Sequence, residues 1–540
     1  MIIAMHATFH RRFNKRLQEL FRIELIAALA AISFSAPGLA DTFAAGDLIV
    51  SRTVYAGSAS LVTVGQALPG GGTAISDGSF PNVFTNETPD PSFGVTSPVF
   101  LDQLTSRGSF VSSLAIDSSQ VTTSFASKSE LALNVSTDGS AVTFMGYVAP
   151  VNTLDVSNSN TAAVIDPTNP VTSTYARAVA QVSLSTGALQ VTDVNAYSGN
   201  NGRAAILANG NYYMVGNAGN GSGNGTTLSQ LSDNTGVQMI AANSSGNTTP
   251  VGVALGTYGS KTGYQRGFSL AQLPDPANPG QKYAADKTGK DDNFRGMTVY
   301  NNTLYVTKGS GSNGVNSVYQ VGASGALANG GSIDNASITI LPGFNMLSEK
   351  VAESNGTATP HPFGLWFGDS STLFVADEGD GVRLGVGGKD TTFAGLQEWK
   401  LVNGVWDLTQ TFQKGLLDQA AYTPNGLGWL VQQDGLRNIT GQRNADGSFT
   451  IFGATSTVSD ELTHDLGADP NELVSITIGA NSTADNTSFS VLETVVAGQR
   501  LGGVAMVPAS IAAVPEPESY AMLFAGLGIL AFSLRRKNAA

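Results

Sequence analysis

An all-β fold is predicted for this chain of 540 residues from its composition and from the pattern of its apolar residues. Glycine is abundant, with 63 residues, and only 13% of all residues are charged. Gly and Asn adopt the positive backbone angles that tight turns need, and β-branched residues suit pleated strands. The apolar fraction of 41% is enough for a sizeable core. We therefore expect many short strands joined by tight turns rather than disorder.

Short runs of alternating apolar and polar residues, each followed by turn residues, indicate the individual strands. The clearest runs are residues 47–51, 142–147, 211–216, 303–307 and 372–376. Elsewhere in the body, no segment of any length has the apolar periodicity of a helix. The body is thus expected to contain strands and turns alone.

Two sequence units recur along the body and predict how the strands are arranged. An apolar strand, a polar turn and a second strand occupy residues 203–216, 294–307 and 362–377. A second hairpin occupies residues 180–189, 319–327 and 398–406. An inner unit followed by an outer hairpin is the order of a four-stranded β-propeller blade. The spacing predicts six to eight blades, with seven favoured, and a β-helix or an array of β-sandwiches is the alternative.

The inner unit resembles the repeats of NHL-type and gluconolactonase-type propellers. Pro424-Asn425-Gly426-Leu427 also resembles a gluconolactonase-type element whose Asn helps to hold a divalent metal in the central channel. The resemblance implies that Asn425 is a metal ligand, with Asp377 or His361 converging from a neighbouring blade. Independently, Asp377 and Asp380 lie in an acidic, Gly-containing loop that can present oxygens to Ca²⁺. A solvated turn is the alternative interpretation of both segments.

The N-terminus has the features of a cleavable signal peptide. A basic stretch that includes Arg11 and Lys15 precedes an apolar run over residues 23–34. Gly38 and Ala40 then supply the small residues that signal peptidase requires, so cleavage is expected after Ala40. The signal peptide is therefore assigned to residues 1–40, and an amphipathic N-terminal helix is the alternative.

The C-terminus has three parts in order: a proline motif, an apolar segment over residues 520–534 and a basic cluster. The motif is Val514, Pro515, Glu516 and Pro517, and the basic cluster is Arg535, Arg536 and Lys537. The apolar segment can enter a membrane as a helix while the basic cluster stays cytoplasmic. This tail resembles the PEP-CTERM sorting signal of Gram-negative bacteria. The resemblance implies processing by an exosortase-type membrane enzyme and delivery to the cell surface or the extracellular matrix, whereas an ordinary tail anchor is the alternative.

These two ends leave residues 41–513 as the exported body and residues 514–540 as the sorting segment. The chain holds 28 Lys and Arg against 41 Asp and Glu, and the ends contribute eight basic and four acidic residues. The body is therefore acidic, which argues against nucleic-acid and membrane-surface binding. Cysteine is absent, so disulfides and thiolate metal sites are excluded.

Motifs for catalysis are weak in the body. Its histidines are His361 and His464, too few for a His-rich metal site and unfavourable for a Ser-His-Asp triad. The segment 309–314 matches Gly-x-Gly-x-x-Gly, but a strand follows it, so we interpret it as a blade loop rather than a dinucleotide site. The acidic segment 290–293 fits either a cation-binding loop or a solvated turn. The four tryptophans are expected in strands, with core packing as their role and carbohydrate stacking as the alternative: Trp366, Trp399, Trp406 and Trp429.

Three hypotheses for function follow. The first is a non-enzymatic, surface-associated propeller that binds polysaccharide or protein of the extracellular matrix. The second is a metal-dependent hydrolase or lactonase in the propeller channel, with Ca²⁺ or another divalent metal held by Asn425, Asp377, Asp380 or His361. The third is a structural matrix protein without a discrete ligand.

Overall fold

The structure is a computed structural model. It describes residues 43–86, 93–128, 130–167, 169–219, 227–256, 264–382, 392–459 and 466–509. Both predicted ends lie outside the described residues. They include Gly38 and Ala40 at the signal peptide, and Val514, Pro515, Glu516, Pro517, Arg535, Arg536 and Lys537 in the sorting segment.

The described residues form six four-stranded antiparallel sheets, which we number as blades I–VI and describe from the innermost strand outward. Blade I contains β28 (Gln499–Met506), β1 (Leu48–Val54), β3 (Val99–Leu104) and β4 (Phe110–Ala115). Blade II contains β6 (Asn134–Val135), β7 (Ala141–Tyr147), β8 (Arg177–Ser183) and β9 (Leu189–Val194). Blade III contains β10 (Gly202–Ala208), β11 (Asn211–Gly216), β12 (Gly236–Ala241) and β13 (Thr249–Pro250).

The second half of the chain forms the other three blades. Blade IV contains β16 (Met297–Tyr300), β17 (Thr303–Lys308), β18 (Ser317–Val321) and β19 (Ile338–Ile340). Blade V contains β20 (Pro362–Asp369), β21 (Thr372–Asp377), β22 (Gly395–Val402) and β23 (Val405–Phe412). Blade VI contains β24 (Val431–Arg443), β25 (Phe449–Ser459), β26 (Glu472–Ile478) and β27 (Ser490–Thr494).

The blades form a closed ring, as a β-propeller requires. Each innermost strand contacts the innermost strands of the two neighbouring blades, in the order β28, β6, β10, β16, β20, β24 and back to β28. Six buried clusters of apolar side chains fill the spaces between consecutive blades, so the core is distributed around the ring. Between blades II and III, for example, Met145 packs with Tyr212.

Ring closure depends on pairing between the two ends of the body. The last strand, β28, pairs with the first, β1, in antiparallel register from Leu48 opposite Met506 to Val54 opposite Gln499. Blade I therefore takes its innermost strand from the C-terminal end and its three outer strands from the N-terminal end. This arrangement leaves no open edge between the first and last blades.

Local sequence explains several of the hairpins. Asn209-Gly210, Asn301-Asn302 and Asn403-Gly404 each form a two-residue connection between paired strands. All six residues have positive φ angles, between 47° and 82°. Asn and Gly adopt this conformation most readily, and it matches the twist of the strands that the turn joins.

The predicted all-β propeller is confirmed, and a β-helix or sandwich array is not formed. Six blades fall within the predicted range, whereas the favoured number of seven was wrong. Some connections between strands are much longer than the repeat units indicated. The connection from β1 to β3 carries its own apolar cluster and β2 (Thr96–Ser97), which pairs with β5 (Thr123–Ser124). The connection from β13 to β16 carries the pair β14 (Ala254–Leu255) and β15 (Gln265–Arg266).

Two smaller predictions, on helices and on one hairpin, were wrong. Two short helices, α1 (Leu228–Ser232) and α2 (Glu349–Asn355), lie in connections, where the sequence had predicted none. The hairpin expected over residues 319–327 is wrong, because β18 runs into a 3₁₀ turn at Ala328–Gly330 before β19. Within the described ranges no helix is long and apolar enough to cross a bilayer, and residues 520–534 lie outside those ranges.

Candidate functional site

The six innermost strands run in the same direction, because every blade repeats the same antiparallel order. We name the end of the channel where they begin the upper end, and the end where they finish the lower end. Connections from second to third strands lie at the upper end and include the long stretches from β7 to β8 and from β21 to β22. The lower end has the short hairpins. Binding residues concentrate on long connections that a rigid scaffold positions, which favours the upper end.

At the upper end we name one set of charged residues, one from or next to each blade, the channel cluster. Its members are Arg500 of blade I, Lys128 before blade II, Arg203 of blade III, Arg295 before β16, Glu378 after β21 and Arg437 of blade VI. The guanidinium-bearing residues Arg203, Arg437 and Arg500 are 3–4% exposed. Four of the cations interact electrostatically with the carboxylate of Glu378: Lys128, Arg203, Arg295 and Arg437.

Contacts between blades hold the channel cluster in place. The Nε atom of Arg437 lies 3.2 Å from Oε2 of Glu378, which joins blades V and VI. Nη1 of Arg203 donates to the carbonyl of Phe294 at 2.8 Å and to Oδ1 of Asn293, which joins blades III and IV. Nη1 of Arg500 donates to the carbonyl oxygens of Phe125 and Ser127 ahead of blade II. These contacts fix the positions of the cations around the channel.

Burial makes the positive charges of this cluster costly. Desolvation, and next the charge of Arg295, lower the pKa of the Arg203 guanidinium well below its ordinary value. Desolvation also lowers the pKa of Arg295, and Glu378 partly offsets this effect. For Glu378, burial raises the pKa, but Arg437, Lys128 and Arg295 outweigh it and hold the pKa below its ordinary value. Glu378 is therefore ionised and interacts with several cations at once.

Two buried carboxyl groups border the cluster beside Lys128. Burial raises the pKa of Asp434 and of Asp469 to about 7 each. Oδ2 of Asp434 accepts the Gly381 amide at 2.9 Å, and Oδ1 of Asp469 accepts Nε1 of Trp429 at 3.1 Å. Near neutral pH these two groups are therefore partly protonated, and they compensate the neighbouring cations only in part.

The structure brings together two of the residues predicted to bind metal. Oδ2 of Asp377 accepts the backbone amide of His361 at 2.6 Å and Nε2 of Gln397 at 3.1 Å, and Oδ1 accepts the amide of Gly379 at 3.1 Å. Burial is the main cause that raises the pKa of Asp377 to about 6. The carboxylate of Asp377 is thus bonded by three protein donors.

The other two predicted metal ligands lie in separate connections at the upper end. Asn425 is exposed in the connection from β23 to β24, where its carbonyl accepts the Ala497 amide at 3.0 Å. Oδ1 of Asp380 accepts the amide of Val382 at 2.9 Å within its own loop. No three His, Cys, Asp or Glu residues are grouped as a metal site within the described ranges, which omit 383–391 and His464. The metal site stays a prediction.

Three of the four tryptophans pack against the core as predicted, whereas Trp429 belongs to none of the described core clusters. Trp399 and Trp406 are each 7% exposed in the core between blades IV and V, and Trp399 stacks on Phe344 with ring centroids 3.8 Å apart. Trp366 in β20 packs against the core between blades V and VI. Trp429 does not lie in a strand, because it precedes β24 in a bend and bonds Asp469.

Sequence reasoning missed the channel cluster, although Arg203 and Arg295 lie at the beginning of the recurring units 203–216 and 294–307. The available signal was an arginine next to a glycine at the start of an innermost strand, as in Gly202-Arg203 and Arg295-Gly296. The loop over residues 309–314 is a blade connection between β17 and β18, as predicted, and its Ser310 accepts a hydrogen bond from Arg295. The convergence of these side chains becomes evident only when the ring closes.

A cavity of about 580 Å³ lies at the lower end of the channel. All six innermost strands line it, together with Val507, Pro508 and Ala509, which follow β28. The chain therefore leaves the propeller toward its sorting segment at the end opposite to the channel cluster.

Comparison with known proteins gives one specific match and several distant ones. The PEP-CTERM protein-sorting motif matches residues 513–537. No curated protein matches the chain. The motif implies export, processing by an exosortase and transient C-terminal anchoring in the membrane.

Solved structures resemble the chain only distantly. The phage phi92 endosialidase is 12% identical, with a TM-score of 0.24, over 73% of this chain and 52% of that one. A mutant of the Synechocystis protein ACO is 8% identical, with a TM-score of 0.22, over 76% and 59%. The β-propeller domain of the Trilobed protease from Pyrococcus furiosus is 8% identical, with a TM-score of 0.24, over 74% and 98%. The chain thus spans little more than half the length of the first two.

The propeller body and the C-terminal sorting motif are adjacent parts of one chain. The body closes into a ring of blades, and the chain leaves this ring after β28, just before the residues that match the sorting motif. The protein is an exported six-bladed β-propeller that carries a PEP-CTERM protein-sorting motif at its C-terminus.

Proposed function

We propose that this protein is a non-enzymatic binding protein of the cell surface or extracellular matrix, and that the upper end of its channel binds matrix polysaccharide. The channel cluster is the observation that supports the proposal, because Lys128, Arg203, Arg295 and Arg437, from different parts of the ring, interact with the one carboxylate of Glu378. Removing these cations from water costs free energy, and an anionic group of a ligand would offset that cost.

The charge of the whole body limits the kind of ligand. The body is acidic, so it repels a polyanion that spreads over its surface. A ligand that inserts one anionic group into the channel avoids most of this repulsion. We therefore expect binding to depend only modestly on ionic strength, since buried charges are screened less than exposed ones.

Co-sedimentation with the purified extracellular polysaccharide of the host tests this proposal. The full chain in detergent should sediment with the polysaccharide, and Arg295→Gln should reduce the bound fraction. Arg107→Gln is the matched control, because Arg107 is exposed in the turn from β3 to β4 at the lower end. The proposal fails if the full chain stays in the supernatant, or if the two variants sediment equally well.

The final location is tested separately through the sorting motif. Deletion of Pro515, Glu516 and Pro517 should retain the protein in the inner membrane, because the processing enzyme would lose its recognition sequence. Fractionation with immunodetection measures the distribution. Unchanged release to the surface would contradict the proposed route.

A further inference from the structure

We infer that Arg203 and Arg295 form a subsite for a carboxylate group of the ligand, at the upper end of the channel between blades III and IV. This inference rests on the proposed binding function and names the chemistry that the ligand presents. An acidic sugar, such as a uronic acid, is the class of ligand that fits it.

The first argument is that one guanidinium edge in this site lacks a partner among the described residues. The Nε atom of Arg203 is buried and has no hydrogen-bond partner there. Its Nη1 atom is occupied by Asn293 and Phe294. A carboxylate binds the fork of a guanidinium through two parallel hydrogen bonds, and the Nε side of Arg203 offers such a fork.

Arg177 shows how the same fold satisfies a buried arginine with a structural role. Its Nε donates to the carbonyl of Asn200 at 3.0 Å, and Nη1 donates to the carbonyl of Tyr175 at 2.8 Å. Its Nη2 donates to the carbonyls of Ser157 and Ser159 at 3.0 and 2.9 Å. All three nitrogens of Arg177 are thus bonded by protein. The Nε atom of Arg203 is buried as well, but it has no partner among the described residues, and this points to a ligand atom there.

The second argument concerns charge compensation. Arg203 and Arg295 repel each other, and Glu378 attracts both. The Oε2 atom of Glu378, however, is already bonded by Arg437 at 3.2 Å. Glu378 thus attracts three guanidinium groups, and a carboxylate of the ligand beside Arg203 would add to the compensation of their charge.

The third argument is that neighbouring polar groups hold both arginines in place. Asn293 accepts from Arg203, and its Nδ2 atom donates to the carbonyl of Ser310 at 3.4 Å. The hydroxyl of Ser310 accepts from Arg295, and the guanidinium of Arg295 lies 6.0 Å from the Phe363 ring. Groups that are fixed before binding lose little entropy when the ligand arrives.

The two oxygens of a carboxylate match the two donors on the Nε side of Arg203. A phosphate group can also bind such a fork, so phosphate and sulfate are included among the probes to distinguish the two chemistries.

Binding of small probes to the full chain in detergent tests the subsite. Glucuronate should raise the unfolding temperature and give a saturable signal in calorimetry, whereas methyl glucoside, phosphate and sulfate should do so much less. Arg203→Lys keeps the charge but removes the fork, and it should weaken glucuronate binding by about tenfold or more. Arg107→Lys is the matched control and should bind as the unaltered chain does.

The possible outcomes separate this inference from the proposed function. Equal protection by glucuronate and methyl glucoside, or by phosphate, would overturn the carboxylate subsite even if polysaccharide still co-sediments. Unchanged glucuronate affinity in Arg203→Lys would also overturn it. If Arg203→Lys unfolds, Arg295→Lys replaces it, with the same expected loss. Loss of co-sedimentation together with intact glucuronate binding would instead contradict the proposed polysaccharide ligand.

Discussion

At the scale of single residues, buried charge distinguishes the upper end of the channel from the rest of the molecule. Folding changes the pKa of the Asp434 carboxyl group. Burial is the main cause that raises its pKa to about 7, and the hydrogen bond from the Gly381 amide opposes this rise. The folded protein therefore holds this proton more tightly than the unfolded chain, whose Asp pKa is about 3.9.

Asp434→Asn should change how stability depends on pH. Between about pH 4 and pH 7 the unaltered protein loses stability as pH rises, because the folded state must keep a proton or bury a charge. The variant lacks this penalty and should be more stable above pH 7, by up to about 4 kcal/mol, with the difference vanishing near pH 4.

Denaturant unfolding at several pH values measures the effect of Asp434→Asn. Asp407→Asn is the control, since Asp407 is exposed in β23. An Asp434→Asn protein with the same pH profile as the Asp407→Asn protein would show that the carboxyl of Asp434 is not perturbed.

The sequence could not show which side chains lie close together in the folded protein. Asp377 or His361 was predicted to converge with Asn425, and this stays a prediction, whereas the contact between Asp377 and the backbone amide of His361 was not predicted. Arg203 and Arg437 are 234 positions apart, and the glycine next to Arg203 does not show which residues its side chain meets. Glu378 lies in the acidic loop between Asp377 and Asp380, and the sequence does not reveal its partner Arg437, which lies in the next blade.

At the scale of elements, the sequence identified one kind of strand best. The five runs that were predicted as strands overlap β1, β7, β11, β17 and β21, which are the second strands of five blades. These strands have a hydrogen-bonded neighbour at each edge, and the adjacent blades cover both of their faces, so they are rich in apolar residues. Outer strands such as β4, whose exposed residues include Phe110 and Val111, lack this signal.

The innermost strands require glycine where a neighbouring blade approaches. A Cβ atom at Gly296 would lie 2.0 Å from the carbonyl oxygen of Phe363 in blade V. Gly296→Ala should therefore push blades IV and V apart and lower the free energy of unfolding by about 1–3 kcal/mol.

The matched control for Gly296→Ala is Gly428→Ala. No atom lies within 4 Å of a Cβ at Gly428, so this substitution should change stability by no more than about 0.5 kcal/mol. Denaturant unfolding of the two variants under the same conditions makes the comparison. Equal stability of the two would mean that blades IV and V are less closely packed at Gly296.

At the scale of the whole molecule, closure of the ring depends on strands separated by most of the chain. The pairing of β28 with β1 joins residues about 450 positions apart, which no local pattern reveals. The sequence therefore predicted the blade as a unit and the propeller as a class. It overestimated the number of blades because long connections, such as that from β1 to β3, were counted as room for another blade.

Removal of β28 should open the ring. A chain that ends at residue 498 loses Leu501 and Val504 from the core between blades VI and I and leaves β1 without its inner partner. We expect such a chain to aggregate or to unfold at clearly lower denaturant concentration than a chain that ends at residue 509. Size-exclusion chromatography and denaturant unfolding of both chains test this, and equal stability would contradict a role of β28 in closure.

The position of the chain exit has a mechanical consequence. The membrane-directed tail follows Ala509 at the lower end, whereas the proposed ligand lies at the upper end. While the protein is anchored, a pull between membrane and ligand would act along the axis of the channel, parallel to β28. The hydrogen bonds between β28 and β1 would then bear the load together in shear rather than open one after another. The strand that closes the ring is also the strand that would transmit tension to the rest of the protein.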